Sequence, residues 1–365
     1  MLSRRYSGSS SNVSQVPAVN LSTHDLDAFR RSAFLPERPL LIRAGNGVGR
    51  HVSNDRGGEF AATSRWFVSE TAAATVTLSP YLEQFSMAFF PYEIMCPPRC
   101  AEPLDNHSEA GSRDALESFS SWLDSNPCNS GLRQGLAELV RHHLLRGGKT
   151  SRAEQRLVQL HAPLALLIEA LKYNREALAG TPTTRPSSMP LLTQLYIAQA
   201  SLSDLPTELR DDVPTPHLVR HGGRGDIYDT SLWLGLEPTY TPWHRDPNPN
   251  LFCQLCSSKT VRLAPPAAGE PIFRQVQTEL ARSVTSTAAT AHSRIRGEEM
   301  MQGPERRPLH DAIWTEAHAT VAMTSIQEAH VEPGDMLFIP KGWWHSVKSA
   351  YADGRLNASV NWWFR

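Results

Sequence analysis

Apolar and polar positions in this chain follow two rhythms. Short apolar runs closed by turn residues mark strands. Met336–Ile339 is four apolar residues, preceded by Glu332, Pro333, Gly334 and Asp335 and followed by Pro340 and Gly342, the pattern of a buried strand between two turns. Residues 39–43 and Thr75–Leu78 read as further short strands, and 26–34 as a short helix. From about 113 to 180 the spacing becomes helical. Leu132, Leu136, Leu139 and Val140 share one face; Leu157, Leu160, Leu164, Leu167 and Ile168 form a second run, in which Pro163 is expected to break or kink the helix. The folded part is expected to start near Pro17. Residues 275–282 read as helix, 283–290 as low complexity, and the charged segment 298–307 as mobile.

Composition narrows the class. The chain has 365 residues, 40% of them hydrophobic, with 36 Lys and Arg against 37 Asp and Glu. A formal charge of -1 and the lack of a polybasic block give no electrostatic signal for non-specific nucleic-acid binding. No apolar run is long enough to span a bilayer. Five scattered cysteines, Cys96, Cys100, Cys128, Cys253 and Cys256, argue for a reducing compartment rather than a disulfide scaffold. Cys253 and Cys256 lie three apart on an expected strand and so should face opposite sides, which argues against a zinc half-site. Cys96 and Cys100 flank a loop-like Pro-Pro-Arg that could contribute to a zinc site. Gly147, Gly148 and Lys149 form a linker rather than a phosphate loop, because the preceding strand and the first glycine are missing. The first 24 residues carry Arg4, Arg5, His24, many serines and no acid. That composition fits a disordered tail, or alternatively a mitochondrial presequence.

The chemistry concentrates at residues 241–250, TPWHRDPNPN, and at a distant His345. His244 and Asp246 are two apart, so on an extended strand they share a side. A second imidazole from another strand would complete a 2-His-1-carboxylate set, which holds non-haem Fe(II) and leaves positions open. His345, just beyond the Met336–Ile339 strand, is placed at the rim where such a ligand is needed. His217, His221 and His330 lack a partner at ligand spacing.

These motifs resemble the JmjC/cupin-type oxygenases that use Fe(II), O2 and 2-oxoglutarate, and most closely the factor-inhibiting-HIF-type asparaginyl hydroxylases and other cupin-like hydroxylases. The resemblance covers roughly 185–265 and 326–365, and more weakly 35–100. In the family a T-P-x-H-x-D segment supplies two iron ligands, here His244 and Asp246 after Thr241 and Pro242. A G-D-x-L-f-I-P-x-x-W-w-H segment supplies the third, here His345. The resemblance further implies that Lys259 pairs with the distal carboxylate of 2-oxoglutarate, that Tyr196 shares it, and that Thr241, Asn250 and Asn361 line the same pocket. Taken singly, Lys259 fits an edge-strand lysine, Tyr196 a core tyrosine and Asn250 a turn residue. Trp343, Trp344, Trp362 and Trp363 read as core and rim packing, with one of them at the substrate entrance. Arg245 varies within the family; its head would meet solvent or an acidic substrate.

The implied architecture is mainly β with flanking α: a double-stranded β-helix (jelly-roll, cupin/JmjC) barrel with a helical N-terminal half and insertion. Residues 1–17 read as a disordered or targeting leader and 18–365 as the oxygenase domain, with a helical insertion about 104–185 and a polar rim insertion about 267–320. The expected function is a dioxygenase that hydroxylates a protein side chain. Alternatives are a tRNA or small-molecule hydroxylase, a histone or protein lysine demethylase, and, in a different class, a non-catalytic cupin-like binding protein. The expected setting is intracellular, cytoplasm or nucleus, with the mitochondrion as an alternative. The chain ends just after its last expected strand, so the C-terminal helices that make the dimer of asparaginyl-hydroxylase-like members are not expected to set its oligomeric state.

Overall fold

The structure is a computed structural model, and it describes residues 13–20, 25–44, 60–70, 75–96, 110–125, 131–145, 156–179, 189–193, 195–283, 301, 303–315 and 325–365. Eight strands build the barrel: β1 (Ile227–Leu236), β2 (Tyr240–Arg245), β3 (Asn250–Cys256), β4 (Lys259–Ala264), β5 (Gln327–Val331), β6 (Met336–Ile339), β7 (Trp344–Ser349) and β8 (Leu356–Phe364). Their order is β6-β3-β8-β1 in one sheet and β5-β4-β7-β2 in the other, with antiparallel neighbours throughout. From β1 to β4, and again from β5 to β8, consecutive strands alternate between the sheets. This is the expected double-stranded β-helix.

Side-chain alternation separates an inner from an outer face. On β8, Ala358, Val360, Trp362 and Phe364 join the large core that the first sheet shares with the helices. Ser359, Asn361 and Trp363 instead line the barrel cavity. On β3, Leu251 and Cys253 belong to that core, whereas Asn250 and Phe252 line the cavity. Burial on both faces explains why these strands are apolar almost throughout yet carry isolated polar residues every second position. The β5–β6 turn forms as its residues require. Gly334 sits at φ +91, where only glycine is unstrained. Asp335 accepts from the backbone N–H groups of Glu332 and Ala44 and from Arg43 at 2.6 Å.

Flanking strands widen both sheets. Leu40–Ile42 pairs with β6, and Leu195–Ala200, Phe89–Cys96 and Arg156–Pro163 follow β1 in order. Ser14–Gln15 pairs in parallel with β5, so the paired chain begins ahead of Pro17. The helical reading of 157–168 is corrected. Arg156–Pro163 is a strand, paired residue for residue with Phe89–Cys96 from Phe89↔Pro163 to Cys96↔Arg156. The partner strand, which the sequence reading missed, buries Phe90, Tyr92, Ile94 and Cys96 at period two. A ladder of that length satisfies both backbones, and this outweighs a leucine spacing that suits either structure. Pro163 ends the strand, and the helix Ala165–Ala179 follows it.

The rim insertion is anchored at both ends. The helices Pro266–Ser283 and Arg306–Trp314 pack Ile272, Val276, Leu309 and Ile313 against Trp243 of β2 and Trp344 of β7. Arg306, within the segment expected to be mobile, thus starts a helix. The expectations for 284–290 and 298–300, the Gly147–Gly148 linker, Cys100, Cys128 and residues 1–12 lie outside the described residues. The cysteine expectation is also corrected: a register shift between Gln254 and Cys256 turns Cys256 back into the same core as Cys253.

At Gly235 on β1, a Cβ would lie 2.4 Å from the Leu195 carbonyl oxygen and 2.7 Å from Tyr196 Cα. The two strands cross there with no room for a side chain. Gly235→Ala should therefore cost about 1–3 kcal/mol of stability, read as a lower urea midpoint at unchanged m-value.

Candidate metal and co-substrate site

The barrel interior opens into a cavity of about 570 Å³. All eight residues singled out in the sequence line it: Tyr196, Thr241, His244, Asp246, Asn250, Lys259, His345 and Asn361. They divide between its two ends.

At one end stand the two imidazoles and the carboxylate. β2 and β7 pair antiparallel with His244 opposite His345, and the rings lie 4.1 Å apart between centroids. Asp246 follows the last residue of β2, and its Oδ2 is 3.7 Å from His345 Nε2. One ligand-type atom from each residue falls within 4.8 Å of the others, and this is the only such group of three among the described residues. Thr241 and His244 are three apart and would face opposite sides of a regular strand. A register shift between them brings both onto the cavity wall.

The local hydrogen bonds suit metal ligation. His244 Nδ1 lies 2.8 Å from the Pro242 carbonyl oxygen, and His345 Nδ1 lies 3.1 Å from that of Trp343. Each Nδ1–H therefore donates to a carbonyl two residues back, leaving each Nε2 with its lone pair for a metal. Burial first, and the adjacent His244 second, push the His345 imidazole well below its ordinary value, so it is neutral at pH 7. Trp363 donates its indole N–H to Asp246 Oδ2 at 2.7 Å, fixing the carboxylate. Of the four tryptophans, this one lines the cavity. Trp362 stacks on Phe60 at 5.4 Å, and Trp344 packs beneath the rim helices. Trp343 belongs to the second core cluster and donates to the Glu37 carbonyl. Trp363 stands two residues after Asn361 on an alternating strand, and that was its signal in the sequence. Two imidazoles, one carboxylate and a residual open cavity are a donor set that fits Fe(II).

The other end holds a buried cation. Lys259 is 3% exposed, and its Nζ donates to Tyr196 Oη at 3.0 Å and Ser359 Oγ at 2.8 Å. Among the described residues, no carboxylate lies within ion-pair distance of it. Burial pushes this ammonium down from 10.5 to about 7, with Glu237 partly opposing the shift. Desolvation of its hydroxyl pushes the Tyr196 phenol up. Ser359, which the sequence reading passed over, is a cavity residue in direct contact with Lys259. Between the two ends, Asn361 donates to Asn250 Oδ1 at 3.0 Å, and its own Oδ1 has no donor.

Two expectations resolve elsewhere. Arg245 turns away from the cavity toward Glu270, 3.6 Å distant on a rim helix, with its guanidinium 5.4 Å over Trp344. His217 and His330 take no part in the metal cluster: His217 lies beside His221, and His330 Nδ1 is 3.5 Å from Thr260 Oγ1.

Comparison with known proteins agrees with this geometry. The Cupin-like domain family matches residues 147–365. Lysine-specific demethylase JMJ30 of Arabidopsis thaliana is 28% identical over 169 residues, 46% of this chain and 33% of that protein. Jumonji C domain-containing protein 5 of Drosophila melanogaster is 30% identical over 156 residues, 42% and 33% respectively. Lysine-specific demethylase 8 of Danio rerio is 26% identical over 170 residues, 46% and 36%. The aligned part is thus about a third of each relative's length. With the barrel, the His-Asp-His cluster and a family match over more than half its length, the chain belongs to the cupin-like, JmjC-type domain family.

Proposed function

We propose that this domain is an Fe(II)- and 2-oxoglutarate-dependent dioxygenase that hydroxylates a protein side chain. The observation that carries the reading is the buried Lys259, hydrogen-bonded only by neutral partners, in the same cavity as two imidazoles and a carboxylate. A dicarboxylate such as 2-oxoglutarate would meet both demands: one carboxylate would neutralise Lys259, and the other end would bind a metal held by His244, Asp246 and His345. A buried charge without a partner is costly, which makes the cation a strong determinant of what binds. Iron, with 2-oxoglutarate and O2, supplies the oxidation chemistry when bound. The chain's part is positional. Tyr196, Thr241, Asn250 and Asn361 hold the co-substrate, and Trp363 restrains Asp246.

A second reading, protein lysine demethylation, is favoured by the names of two of the relatives, which are lysine-specific demethylases. The two share their first step, because hydroxylation of an N-methyl carbon releases formaldehyde. Incubation with Fe(II), ascorbate, O2 and 2-oxoglutarate, with cell extract fractionated into protein, RNA and small molecules, tests the proposal. Succinate should form and rise with the protein fraction. Formaldehyde in proportion would select demethylation. Stimulation by RNA or metabolites instead would reassign the substrate. Absence of both succinate and 2-oxoglutarate binding would leave a binding module. A nuclear or cytoplasmic setting accompanies this reading; the relatives give no support to a mitochondrial one. No described helix is long and apolar enough to cross a membrane.

His345→Ala should abolish stoichiometric Fe(II) binding and turnover, measured by anaerobic metal titration. Retention of full iron-dependent activity would disprove the ligand assignment. Lys259→Ala should weaken 2-oxoglutarate binding by about 3–5 kcal/mol, and Tyr196→Phe by about 0.5–1.5 kcal/mol.

The Lys259 shift also sets a pH dependence. The ammonium is lost above about pH 7 in the free protein, while the bound dicarboxylate holds the proton on. Binding above that pH therefore takes up a proton. The dissociation constant for 2-oxoglutarate should rise with pH, approaching about tenfold per pH unit. Calorimetry with Mn(II) in place of iron, in buffers of different ionisation heat, measures both the affinity and the proton.

A further inference from the structure

Glu237 follows the last residue of β1 and is fully buried, yet it does not line the cavity. Its Oε1 accepts from Ser257 Oγ at 2.6 Å and Asn357 Nδ2 at 2.9 Å, and its Oε2 accepts the Tyr351 backbone N–H at 2.8 Å. The Asn357 orientation is fixed independently. Its Nδ2 also donates to the Ser258 carbonyl, and its Oδ1 accepts from Gln254 Nε2 at 3.1 Å. An amide N–H2 and a backbone N–H can only donate; these bonds favour the ionised carboxylate and oppose the burial that pushes the Glu237 carboxyl above its ordinary value. Two of these contacts fall on Ser257 and Ser258, the two residues that join β3 to Lys259. Ser257 is held at φ +57, a conformation rare for a residue with a side chain and maintained only where its surroundings dictate it.

We propose that Glu237 is a positioning residue for the co-substrate: its carboxylate, with Asn357, holds the Ser257–Ser258 turn that launches Lys259 into the cavity. This rests on the reading of Lys259 as the partner of 2-oxoglutarate. The other groups around Glu237 do not replace it. Arg355, the residue before β8, acts on it, but its guanidinium is engaged by Asp353 at 2.5 Å. The Cys256 thiol, pushed up to about 12 by burial and by Glu237, stays neutral, as does the Tyr196 phenol. Tyr351 contributes its backbone N–H and carries the Arg355 guanidinium over its ring. Glu93 is the other acid that acts on Tyr196, from the strand beyond. The charge of Glu237 also opposes the downward shift that burial imposes on Lys259.

The test compares the full-length parent with Glu237→Gln, which keeps the size and removes the charge. The dissociation constant for 2-oxoglutarate is measured with Mn(II) from about pH 6 to about pH 8.5, the range over which the lysine titrates. We expect several-fold weaker binding by Glu237→Gln across this range, because an amide cannot accept from both Ser257 and the Tyr351 backbone N–H as the carboxylate does. With iron, the KM for 2-oxoglutarate should rise while kcat at saturation is kept. Glu237→Asp, which keeps an acceptor-only carboxylate, should recover part of the loss. A merely structural role would lower stability and leave the KM for 2-oxoglutarate at the parental value. A folded Glu237→Gln that tracks the parent at every pH, while Lys259→Ala remains impaired, overturns this inference and leaves the proposed function standing. Parental binding by Lys259→Ala overturns both. If Glu237→Gln does not fold, Ser257→Ala decides. It should raise the dissociation constant several-fold at all pH values, and an unchanged constant refutes the positioning role.

Discussion

An ammonium group inside a β-barrel constrains everything around it. Lys259 is 3% exposed, and the loss of hydration must be offset by groups the fold brings to it. They arrive from several elements. Tyr196 comes from a strand outside the barrel, Ser359 from β8, and the rings of Phe252 and Tyr196 lie 5.4 and 5.6 Å from the nitrogen. Glu237, beyond the cavity wall, bonds to Ser257 in the turn that leads into Lys259. Gly235 belongs to the same arrangement, because only a bare Cα lets the Tyr196 strand come close enough. None of these groups is an in-range carboxylate, and this directs the lysine's charge toward the cavity.

The metal end obeys a different logic. Each imidazole is oriented by a carbonyl two residues back along the chain, so the geometry of the two rings is largely prepared locally. What the tertiary structure adds is the pairing of β2 with β7 and the reach of Trp363 to Asp246. Behind these strands, Trp243 and Trp344 pack into the rim helices, with Gly269 so close to Trp344 that a Cβ would lie 2.3 Å from its ring. The insertion thus acts as a brace for the two histidine strands as well as a rim.

The cavity wall is not confined to the part of the chain that defines the family. Pro91, Tyr92, Glu93 and Met95 line it from a strand that lies ahead of the family match, and Met301 and Arg306 line it from the insertion. Of the eight residues singled out in the sequence, seven come from the barrel strands and the β2–β3 turn, and Tyr196 comes from the flanking strand Leu195–Ala200. The relatives align over about a third of their own length.

The sequence by itself pointed to the barrel class and to eight residues that the structure gathers on one cavity wall. Turn residues, period-two alternation and chemically demanding residue types are local signals, and a strand that carries Ser359, Asn361 and Trp363 on one side states its own orientation. It could not determine Arg156–Pro163, because leucines spaced three and four apart suit a helix or a two-sided strand, and only the partner Phe89–Cys96 decides between them. It could not place Thr241 beside His244 or Cys256 beside Cys253, since each pair depends on a register shift that breaks the alternation. Nor could it find Glu237, whose importance lies in contacts with Ser257, Tyr351 and Asn357, 20 to 120 residues away. Local pattern encodes which face a side chain takes. Pairing between distant strands decides where that face meets its neighbours, and with it the charge balance at Lys259.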